Sequence, residues 1–267
     1  MSIAATSVRD ALDSAVIALT AAGCDTPRLD AEVLLAVALG VDRAALISDP
    51  LRELSGPQAR VFADYARRRR GREPVAYITG VRGFRFLELL VDRRVLIPRP
   101  ETEHVVEAAL GLPAGTRVVD VGTGSGAIAL ALKAERPDLQ VSGTDTSLDA
   151  LDVARANALR LHLDVSFIHG DLLAGLEVDA VVSNPPYVAE GDALMPEVAR
   201  YEPHAALFAG PDGLAVIRRL FVAPFVAVEH GEGQADAVEA LAHEAGFTDV
   251  SRIRDLAGIE RVVVARR

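Results

Sequence analysis

Hydrophobic residues in the first eighty positions recur every three or four residues, which is the spacing of one face of an α-helix. Three such runs lie between recognisable helix limits, at residues 7–23, 26–40 and 55–71. Each run begins at a serine or threonine that is suited to cap a helix, and each ends at a glycine. The pattern predicts a small helical bundle over residues 1–80, with no catalytic constellation in it.

Residues 81–98 change from helical spacing to short apolar runs that favour β-strands. Phe84, Phe86 and residues 89–91 form one run, and residues 95–97 form another, with Asp92-Arg93-Arg94 between them. Two apolar runs joined by a short polar segment are typical of a β-hairpin. We therefore expect a β-hairpin linker over residues 81–98, with its turn at residues 92–94.

From residue 99 onward the pattern alternates between short apolar strands and amphipathic helices. Strands are expected at residues 117–121, 141–144, 165–169, 180–183, 225–229 and 262–265. Helices are expected at residues 127–134, 147–161 and 234–245. This alternation implies an α/β fold with a doubly wound, mainly parallel sheet, and it predicts a second domain over residues 99–267.

The composition is that of a globular protein, with 267 residues of which 50% are hydrophobic and 25% are charged. No apolar run approaches the roughly 18 residues that a membrane span needs. The N-terminus lacks a basic start followed by an apolar stretch, so we expect no secretory signal and a cytoplasmic location. The single cysteine, Cys24, cannot form an internal disulfide and has no metal-ligand spacing around it, so no bound metal is expected.

The formal net charge of −10 disfavours contact with nucleic acid, because such a surface repels phosphate groups unless positive charge is concentrated locally. The one dense basic run is RRRRGR at residues 67–72. We interpret it as a solvated helix end whose cations complement the helix dipole. The alternative is a docking patch for an acidic partner or for RNA.

A glycine-rich turn, Gly122-Thr123-Gly124-Ser125-Gly126, joins the first strand of the α/β region to its helix. Glycine permits positive φ and close approach to a ligand, and a helix N-terminus offers unpaired N–H groups. The spacing G-x-G-x-G differs from the G-x-G-x-x-G dinucleotide fingerprint, and no P-loop lysine follows. The turn favours a nucleoside site without a pyrophosphate, and the alternative is a merely tight strand–helix turn.

Two acidic residues follow the next two strands. Asp145 ends the second strand about 20 residues after the glycines, where a carboxylate can accept hydrogen bonds from both ribose hydroxyls. A helix cap is the alternative role, although Ser147 can cap that helix without it. Asp171 follows the third strand, and a contact with an adenine edge and a purely structural role stay equally open for it.

A rigid polar turn, Asn184-Pro185-Pro186-Tyr187, leaves the fourth strand at the carboxyl edge of the sheet, where ligands bind in this architecture. The Asn184 side-chain oxygen and the Pro185 carbonyl can accept both hydrogens of a planar NH2 group, and Tyr187 offers an aromatic face. Holding both hydrogens aims the nitrogen lone pair at a sulfonium methyl group, and the acceptors bind more strongly as positive charge grows on nitrogen. We therefore assign the catalytic role to Asn184, Pro185 and Tyr187, and we see no deprotonating base in the sequence.

The sequence resembles the HemK-type peptide chain release factor N5-glutamine methyltransferases over nearly its full length. The resemblance rests on the glycine turn, the Asn-Pro-Pro-Tyr turn, and the segments GREPVAYITG at 71–80, LIPRPETE at 96–103 and YEPHAAL at 201–207 with Gly213-Leu214. Many amino-methyltransferases share the two turns. The segments around residues 73–77 and 97–103 are far more specific to this family.

The resemblance implies a helical domain that helps to dock a release factor, followed by a Rossmann-like catalytic domain with a seven-stranded sheet. The implied cofactor is S-adenosyl-L-methionine, with S-adenosyl-L-homocysteine as its product, and the enzyme is expected to be a monomer. The implied acceptor is N5 of the glutamine in the Gly-Gly-Gln motif of class I peptide chain release factors.

Site residues follow from the resemblance position by position. The implied cofactor site consists of Gly122, Thr123, Gly124, Ser125, Gly126, Asp145, Asp171, Leu172 and Asn184. The implied substrate site consists of Asn184, Pro185, Pro186, Tyr187, Arg99 and Glu101. For the last two residues, a surface turn set by Pro98 and Pro100 is an equally good explanation.

The sequence departs from the family pattern at two places. Leu172 stands where relatives often carry an aromatic residue beside the adenine, so only apolar contact is expected there. The segment between Gly213 and Glu229 is several residues shorter than expected, so residues 218–224 must replace a helix end and a loop. We interpret His230, which follows Glu229, as a surface turn residue.

Two rival functions stay open. A nucleic-acid amino-methyltransferase acting on adenine N6 or guanine N2 would use the same Asn-Pro-Pro-Tyr turn, but it should show a basic face. A catalytically silent adaptor with a methyltransferase fold would not need Asn184, Asp145 and the three glycines of the turn, all of which are present.

Overall fold

A computed structural model describes residues 6–267 and divides the chain into two compact units. The helical unit comprises the chain up to Gly80 together with Met195–Tyr201, and the second unit comprises Val81–Leu194 and Glu202–Arg267. No helix within residues 6–267 is long and apolar enough to cross a lipid bilayer. The domain limits 1–80, 81–98 and 99–267 stay a prediction.

Between residues 6 and 80, the helical unit contains five helices. They are α1 (Val8–Ala21), α2 (Pro27–Leu39), α3 (Arg43–Ser48), α4 (Gly56–Arg70) and α5 (Val75–Thr79). Side-chain caps define three of the starts: the Ser7 hydroxyl accepts a hydrogen bond from Asp10 N, the Asp42 carboxylate accepts from Ala45 N, and Ser55 forms a capping box with Gln58. The pattern of apolar residues predicted α1, α2 and α4, whereas α3 and α5 are too short to show a period.

The β-hairpin is present, but its turn lies elsewhere than predicted. Strand β1 (Val81–Phe84) pairs antiparallel with β2 (Leu87–Leu90), so the turn is Arg85-Phe86 and residues 95–97 form no strand. Arg85 adopts φ 49°, and its guanidinium forms ion pairs with Glu107 and Glu135. The prediction was wrong because Phe86, which was counted in the first apolar run, is a turn residue with 86% of its surface exposed.

The hairpin belongs to the second unit and is attached to it by a buried asparagine. Asn157 accepts a hydrogen bond from Leu90 N at 2.7 Å and donates to Leu90 O at 3.0 Å. Its amide also donates to Ser125 O at 2.9 Å. One side chain therefore joins the hairpin to the glycine turn, and a fully buried amide is tolerated because its hydrogen bonds are made.

The second unit contains a seven-stranded sheet, as predicted. Its strands are β3 (Arg117–Val121), β4 (Gln140–Asp145), β5 (Ser166–His169), β6 (Ala180–Ser183), β7 (Phe225–Glu229), β8 (Asp249–Arg254) and β9 (Glu260–Arg266). The order is β5-β4-β3-β6-β7-β9-β8; the first five are parallel, and β9 runs antiparallel to both β7 and β8. The pattern did not reveal β8, because polar and charged residues interrupt its apolar positions.

Helices cover the sheet in the manner of a doubly wound fold. They are α6 (Glu103–Ala109), α7 (Ala127–Glu135), α8 (Leu148–Leu161) and α10 (Ala235–Glu244), while the short α9 (Pro196–Tyr201) lies in the helical unit. Strand β3 lies between β4 and β6, so the chain reverses its direction of winding there. The loops after β3, β4 and β6 therefore meet at the carboxyl edge of the sheet, where this fold binds ligands.

The basic run at residues 67–72 is not mainly a solvated helix end, contrary to our interpretation. Arg69 is buried, and its guanidinium contacts Asp30 at 2.7 Å and Glu197 at 3.0 Å. Arg72 contacts the same Glu197 at 2.7 Å. The run supplies an internal ionic cluster that binds α9 to α4 within the helical unit, while Arg67 forms an exposed pair with Asp64.

This cluster leads to a test of stability. Arg69→Met should lower the free energy of unfolding by about 3–5 kcal/mol, because it leaves Asp30 buried without its cation and leaves Glu197 with Arg72 as its one remaining cation. Arg67→Met is the matched control and should cost less than about 1 kcal/mol, since its ion pair is exposed. Urea unfolding followed by circular dichroism measures both values, and equal small losses would contradict the internal role of Arg69.

Candidate active site

A cleft of about 270 Å³ opens at the carboxyl ends of β3, β4 and β6. The structure brings most of the predicted site residues to its wall, namely Gly122, Thr123, Gly124, Ser125, Asp145, Asp171, Leu172, Asn184 and Pro186. Gly126, Pro185, Tyr187, Arg99 and Glu101 do not line it. Residues of the glycine turn and of the Asn-Pro-Pro-Tyr turn therefore line the same cavity as Asp145 and Asp171, as the order of the strands requires.

The glycine turn is held tightly against β4 by its own backbone. Gly122 N and Thr123 N both donate to Thr144 O at 2.9 Å, and Gly124 N donates to Asp145 Oδ2 at 2.9 Å. These N–H groups are bonded to protein atoms, although the sequence suggested that such groups stay available to a ligand. At Gly126, with φ 83°, a Cβ would come within 3.0 Å of Leu130 and 3.2 Å of Phe167, so packing also requires glycine there.

Asp145 ends β4 with its carboxylate at the cleft. Its Oδ2 accepts from Gly124 N, and its Oδ1 accepts from Ser147 N at 2.9 Å. Ser147 provides the helix cap by accepting from Ala150 N at 3.1 Å. Each carboxylate oxygen can accept a second hydrogen bond, so Asp145 is oriented by the backbone and keeps acceptor capacity for a ligand.

Asp120 is a site residue that the sequence reasoning missed. This residue of β3 is buried directly beneath the glycine turn, where its Oδ2 accepts from Thr123 Oγ1 at 2.7 Å and from Ala129 N at 3.2 Å. Its Oδ1 has no hydrogen-bond partner among residues 6–267. Burial raises the pKa of Asp120 to about 7, despite the hydrogen bond from Thr123. The available signal was an acidic residue inside an otherwise apolar strand.

Asp171 and Leu172 form another part of the cleft wall. The Asp171 carboxylate pairs with Arg219 at 2.5 Å on the protein surface. Leu172 adopts φ 49° and its carbonyl accepts from Thr144 Oγ1 at 2.5 Å. Arg219 ends a 3₁₀ turn, Ile217–Arg219, in the segment between Gly213 and Glu229.

The segment between Gly213 and Glu229 is well packed. Its apolar side chains are buried against the sheet, namely Leu214, Ile217, Leu220, Phe221 and Ala223. Gly213 at its start has φ 73°, and a Cβ there would lie 2.1 Å from the Tyr187 carbonyl oxygen. Gln234 Nε2 donates to this same carbonyl at 2.9 Å. Gly213 and Gln234 therefore both lie against the Tyr187 carbonyl of the Asn-Pro-Pro-Tyr turn.

Asn184 has a defined orientation with one free acceptor. Its Nδ2 donates to Thr102 Oγ1 at 2.9 Å. Its Oδ1 is buried and has no hydrogen-bond partner within the described part of the chain. A buried amide oxygen without a donor is costly in a folded protein. The arrangement is suited to a ligand that brings an N–H group to Asn184 Oδ1.

Glu229 lies behind the Asn-Pro-Pro-Tyr turn, at the end of β7, and sequence reasoning gave it no role. Its Oε2 accepts from Thr102 Oγ1 at 2.6 Å, and its Oε1 accepts from the Tyr187 hydroxyl at 3.4 Å. Burial raises the pKa of Glu229 to about 7. The pKa of Tyr187 is also raised, first by burial and then by the charge of Glu229, so its hydroxyl acts as a donor and not as a phenolate.

His230 is fully buried, so its interpretation as a surface turn residue was wrong. Its Nδ1 lies 2.8 Å from Gly231 O, which makes Nδ1 the protonated nitrogen. Burial lowers the pKa of His230 and favours the neutral ring. It is buried because its backbone N–H still pairs with Arg261 O of β9, so the chain leaves the sheet only after this residue.

Arg99 and Glu101 lie in the segment that carries Thr102. The Arg99 guanidinium contacts the buried carboxylate of Glu202 at 2.6 Å. Glu101 belongs to a 3₁₀ turn, Pro100–Thr102, which places the Thr102 hydroxyl beside Asn184. The segment therefore contributes Thr102 to the cleft wall, and the predicted substrate contacts of Arg99 and Glu101 stay predictions.

No cluster of metal-binding residues accompanies the cleft. Across residues 6–267, the histidine, cysteine and acidic side chains form no group of three or more that is arranged to hold a metal ion.

A doubly wound sheet of this order, with a glycine turn, an acidic residue after β4 and an Asn-Pro-Pro-Tyr turn around one cleft, defines a class I methyltransferase fold. Family models agree: the PrmC N-terminal domain matches residues 10–80, and the methyltransferase small domain matches residues 103–206. A solved methyltransferase from Pyrococcus furiosus has the same fold, with a TM-score of 0.52 at 17% identity over 79% of this chain and 98% of that one.

Curated relatives narrow the assignment. The release factor glutamine methyltransferase of Caulobacter vibrioides is 45% identical and covers 91% of this chain and 90% of its own. The release factor glutamine methyltransferase of Koribacter versatilis is 44% identical to this chain, and the match covers 97% of this chain and 98% of that one. This chain belongs to the release factor glutamine methyltransferase family, and the resemblance seen in the sequence is confirmed.

The buried carboxyl of Asp120 predicts a pH-dependent stability. Its pKa rises from the ordinary 3.8 to about 7, so the folded protein keeps a proton that the unfolded chain releases. This contribution is complete below about pH 4 and is lost as the pH rises through about 7. Glu229 acts in the same direction. Stability measured by urea unfolding should therefore fall between pH 5 and pH 8.

Asp120→Asn should flatten this fall by on the order of 2–3 kcal/mol, because it removes one of the two carboxyl groups that cause it, whereas His230, whose pKa burial lowers, acts in the opposite direction in both proteins. The control is Asp152→Asn on the exposed surface of α8, which should leave the slope unchanged. Identical slopes in Asp120→Asn and the parent protein would contradict the raised pKa.

Proposed function

We propose that this protein transfers a methyl group from S-adenosyl-L-methionine to N5 of the glutamine in the Gly-Gly-Gln motif of class I peptide chain release factors. The family supports this proposal, since its curated members are named release factor glutamine methyltransferases. Within the site, the proposal rests on Asn184 Oδ1. This atom is buried at the cleft and has no hydrogen-bond partner among residues 6–267. A primary amide provides the N–H group that this oxygen lacks.

The cleft residues fit the adenosyl donor. Asp145 has free acceptor capacity at the end of β4, where ribose hydroxyls are bound in doubly wound folds. Residues 122–125 form the adjacent wall, and Leu172 offers apolar surface for the base. Asp171 is paired with Arg219, so its carboxylate could accept a hydrogen bond from the adenine amine only while shared with that guanidinium.

The mechanism is one of positioning. When bound, S-adenosylmethionine supplies an electrophilic methyl group. Asn184 Oδ1 and the Pro185 carbonyl accept the two amide hydrogens, which aims the nitrogen lone pair toward the donor side of the cleft. Both acceptors hold the hydrogens more strongly as positive charge develops on nitrogen, so they favour the transition state over the ground state.

Tyr187 and the prolines give this clamp its rigidity. Pro185 and Pro186 fix two φ angles of the turn. The Tyr187 hydroxyl is held by Glu229, and its carbonyl is held by Gln234. The proposed contact with the glutamine side chain therefore involves the Tyr187 ring, while the polar ends of the residue are bound to the protein. No side chain of the cleft is required as a base, because the methylated nitrogen becomes strongly acidic.

The test is methyl transfer from labelled S-adenosylmethionine to a purified class I release factor. Label should enter the unchanged factor and be absent from a factor whose Gly-Gly-Gln glutamine is replaced by alanine. Equal labelling of both factors would show that the methyl group is transferred to another residue of the factor. No labelling, with cofactor binding intact, would overturn the proposal and direct the search to RNA and DNA amines.

Asn184→Ala separates an enzyme from a silent adaptor. We expect kcat to fall by about 10²–10³-fold, as for the loss of one transition-state hydrogen bond, while the Kd of S-adenosylmethionine changes little. Isothermal titration calorimetry measures the affinity, and single-turnover transfer measures the rate. An unchanged rate would exclude the clamp mechanism.

A further inference from the structure

The side-chain amide of Asn184 could face the cleft with either end, and the two ends have opposite chemistry. An oxygen in the cleft accepts hydrogen bonds from a substrate amide, whereas an NH2 group there would oppose the substrate NH2 group. In the structure, Nδ2 is directed to Thr102 Oγ1 at 2.9 Å, which leaves Oδ1 for the cleft. The proposed reaction therefore requires an interaction that holds the Asn184 amide in this orientation.

Thr102 selects this orientation of the Asn184 amide, because its hydroxyl already donates a hydrogen bond to Glu229. A hydroxyl has one hydrogen to donate. The Thr102 hydroxyl is buried and donates that hydrogen to Glu229 Oε2 at 2.6 Å. Only its lone pairs remain for Asn184, so Asn184 must present its NH2 group to Thr102.

Glu229 begins the chain of hydrogen bonds. In its ionised form, which a pKa of about 7 allows at and above neutral pH, the Glu229 carboxylate accepts hydrogen bonds and donates none. Glu229 is 1% exposed, and its two oxygens accept from the hydroxyls of Thr102 and Tyr187. Both sides of the Asn-Pro-Pro-Tyr turn are therefore oriented by one carboxylate. A glutamine would fill the same space, but its NH2 group could donate to Thr102 and reverse the chain.

The sheet brings these three residues together. Strand β7 lies beside β6 in parallel register, with Ser183 opposite Val228, so Glu229 and Asn184 both stand at the ends of neighbouring strands. Thr102 comes from the 3₁₀ turn before α6. The cost of this arrangement is visible in the raised pKa of Glu229, since burying a carboxylate opposes its ionisation.

We propose that Glu229 and Thr102 are positioning residues that fix the Asn184 amide with its oxygen toward the cleft and thereby select a glutamine amide over a glutamate carboxylate. This inference rests on the proposed function and specifies how that site recognises its substrate. The selectivity follows because Asn184 Oδ1 attracts the N–H groups of an amide and repels the oxygens of a carboxylate.

The experiment compares two release factors that differ only in the last residue of the motif, Gly-Gly-Gln and Gly-Gly-Glu. The dissociation constant of each factor is measured with the full-length enzyme and its variants in the presence of S-adenosylhomocysteine. The unchanged enzyme should bind the Gly-Gly-Gln factor at least about tenfold more tightly. Glu229→Gln should reduce this ratio to near one or reverse it, because the amide of Asn184 can then turn.

Thr102 offers a matched pair of variants. Thr102→Val removes the hydroxyl at nearly constant volume, so it should also reduce the binding ratio and should lower kcat on the order of tenfold to a hundredfold. Thr102→Ser keeps the hydroxyl and should restore both. Thermal unfolding and cofactor affinity, measured for each variant, separate these effects from a loss of folding.

The outcomes distinguish this inference from the proposed function. If the unchanged enzyme fails to methylate the Gly-Gly-Gln factor, the proposed function itself fails. If it methylates that factor, and folded Glu229→Gln and Thr102→Val retain the full preference for Gly-Gly-Gln, the positioning role is wrong. A loss of preference in both variants, with recovery in Thr102→Ser, supports it.

Discussion

The parallel pairing of β3 with β4 on one side and with β6 on the other is the constraint on which the site depends. Because parallel strands end at the same edge, the glycine turn, Asp145 and Asn184 meet there although more than sixty residues of chain separate the first from the last. The next strand, β7, adds Glu229 to the same edge. The chemistry therefore follows from strand order, and each loop needs to supply only one or two side chains.

The site contains buried polar groups that oppose folding. Asp120 and Glu229 are both almost fully buried, and burial raises the pKa of each to about 7. Asn184 Oδ1 and Asp120 Oδ1 lack partners among residues 6–267. Such groups cost stability, and functional sites are where proteins tolerate that cost. The surrounding sheet, whose central strands are apolar and buried, supplies the stability that offsets it.

The helical unit shows a different use of buried charge. Arg69 is enclosed by Asp30 and Glu197, so its charge is matched by hydrogen-bonded partners. A paired internal charge contributes little net stability but is costly to break. It also defines one packing geometry for α2, α4 and α9, because a guanidinium has fixed donor directions. A segment from far along the sequence, Met195–Tyr201, is thereby integrated into this unit.

The local sequence pattern was sufficient to predict many of the secondary-structure elements and part of the site. The periods of apolar residues predicted the long helices and most strands, since those periods reflect which face of an element is buried. The Gly-x-Gly-x-Gly and Asn-Pro-Pro-Tyr turns indicated the two halves of the site, because their backbone requirements can be read from residue type. The family followed from longer segments such as residues 96–103.

Tertiary structure alone decided the rest. Thr102 and Glu229 lie 127 residues apart, and nothing local marks them as partners of each other or of Asn184. The hairpin turn at Arg85-Phe86 depends on ion pairs with distant Glu107 and Glu135, and the charge of Arg69 is matched by residues of other helices. Periodicity and turn chemistry act over a few residues and are written in the sequence. Hydrogen-bond direction and burial of charge depend on which side chains the fold brings together.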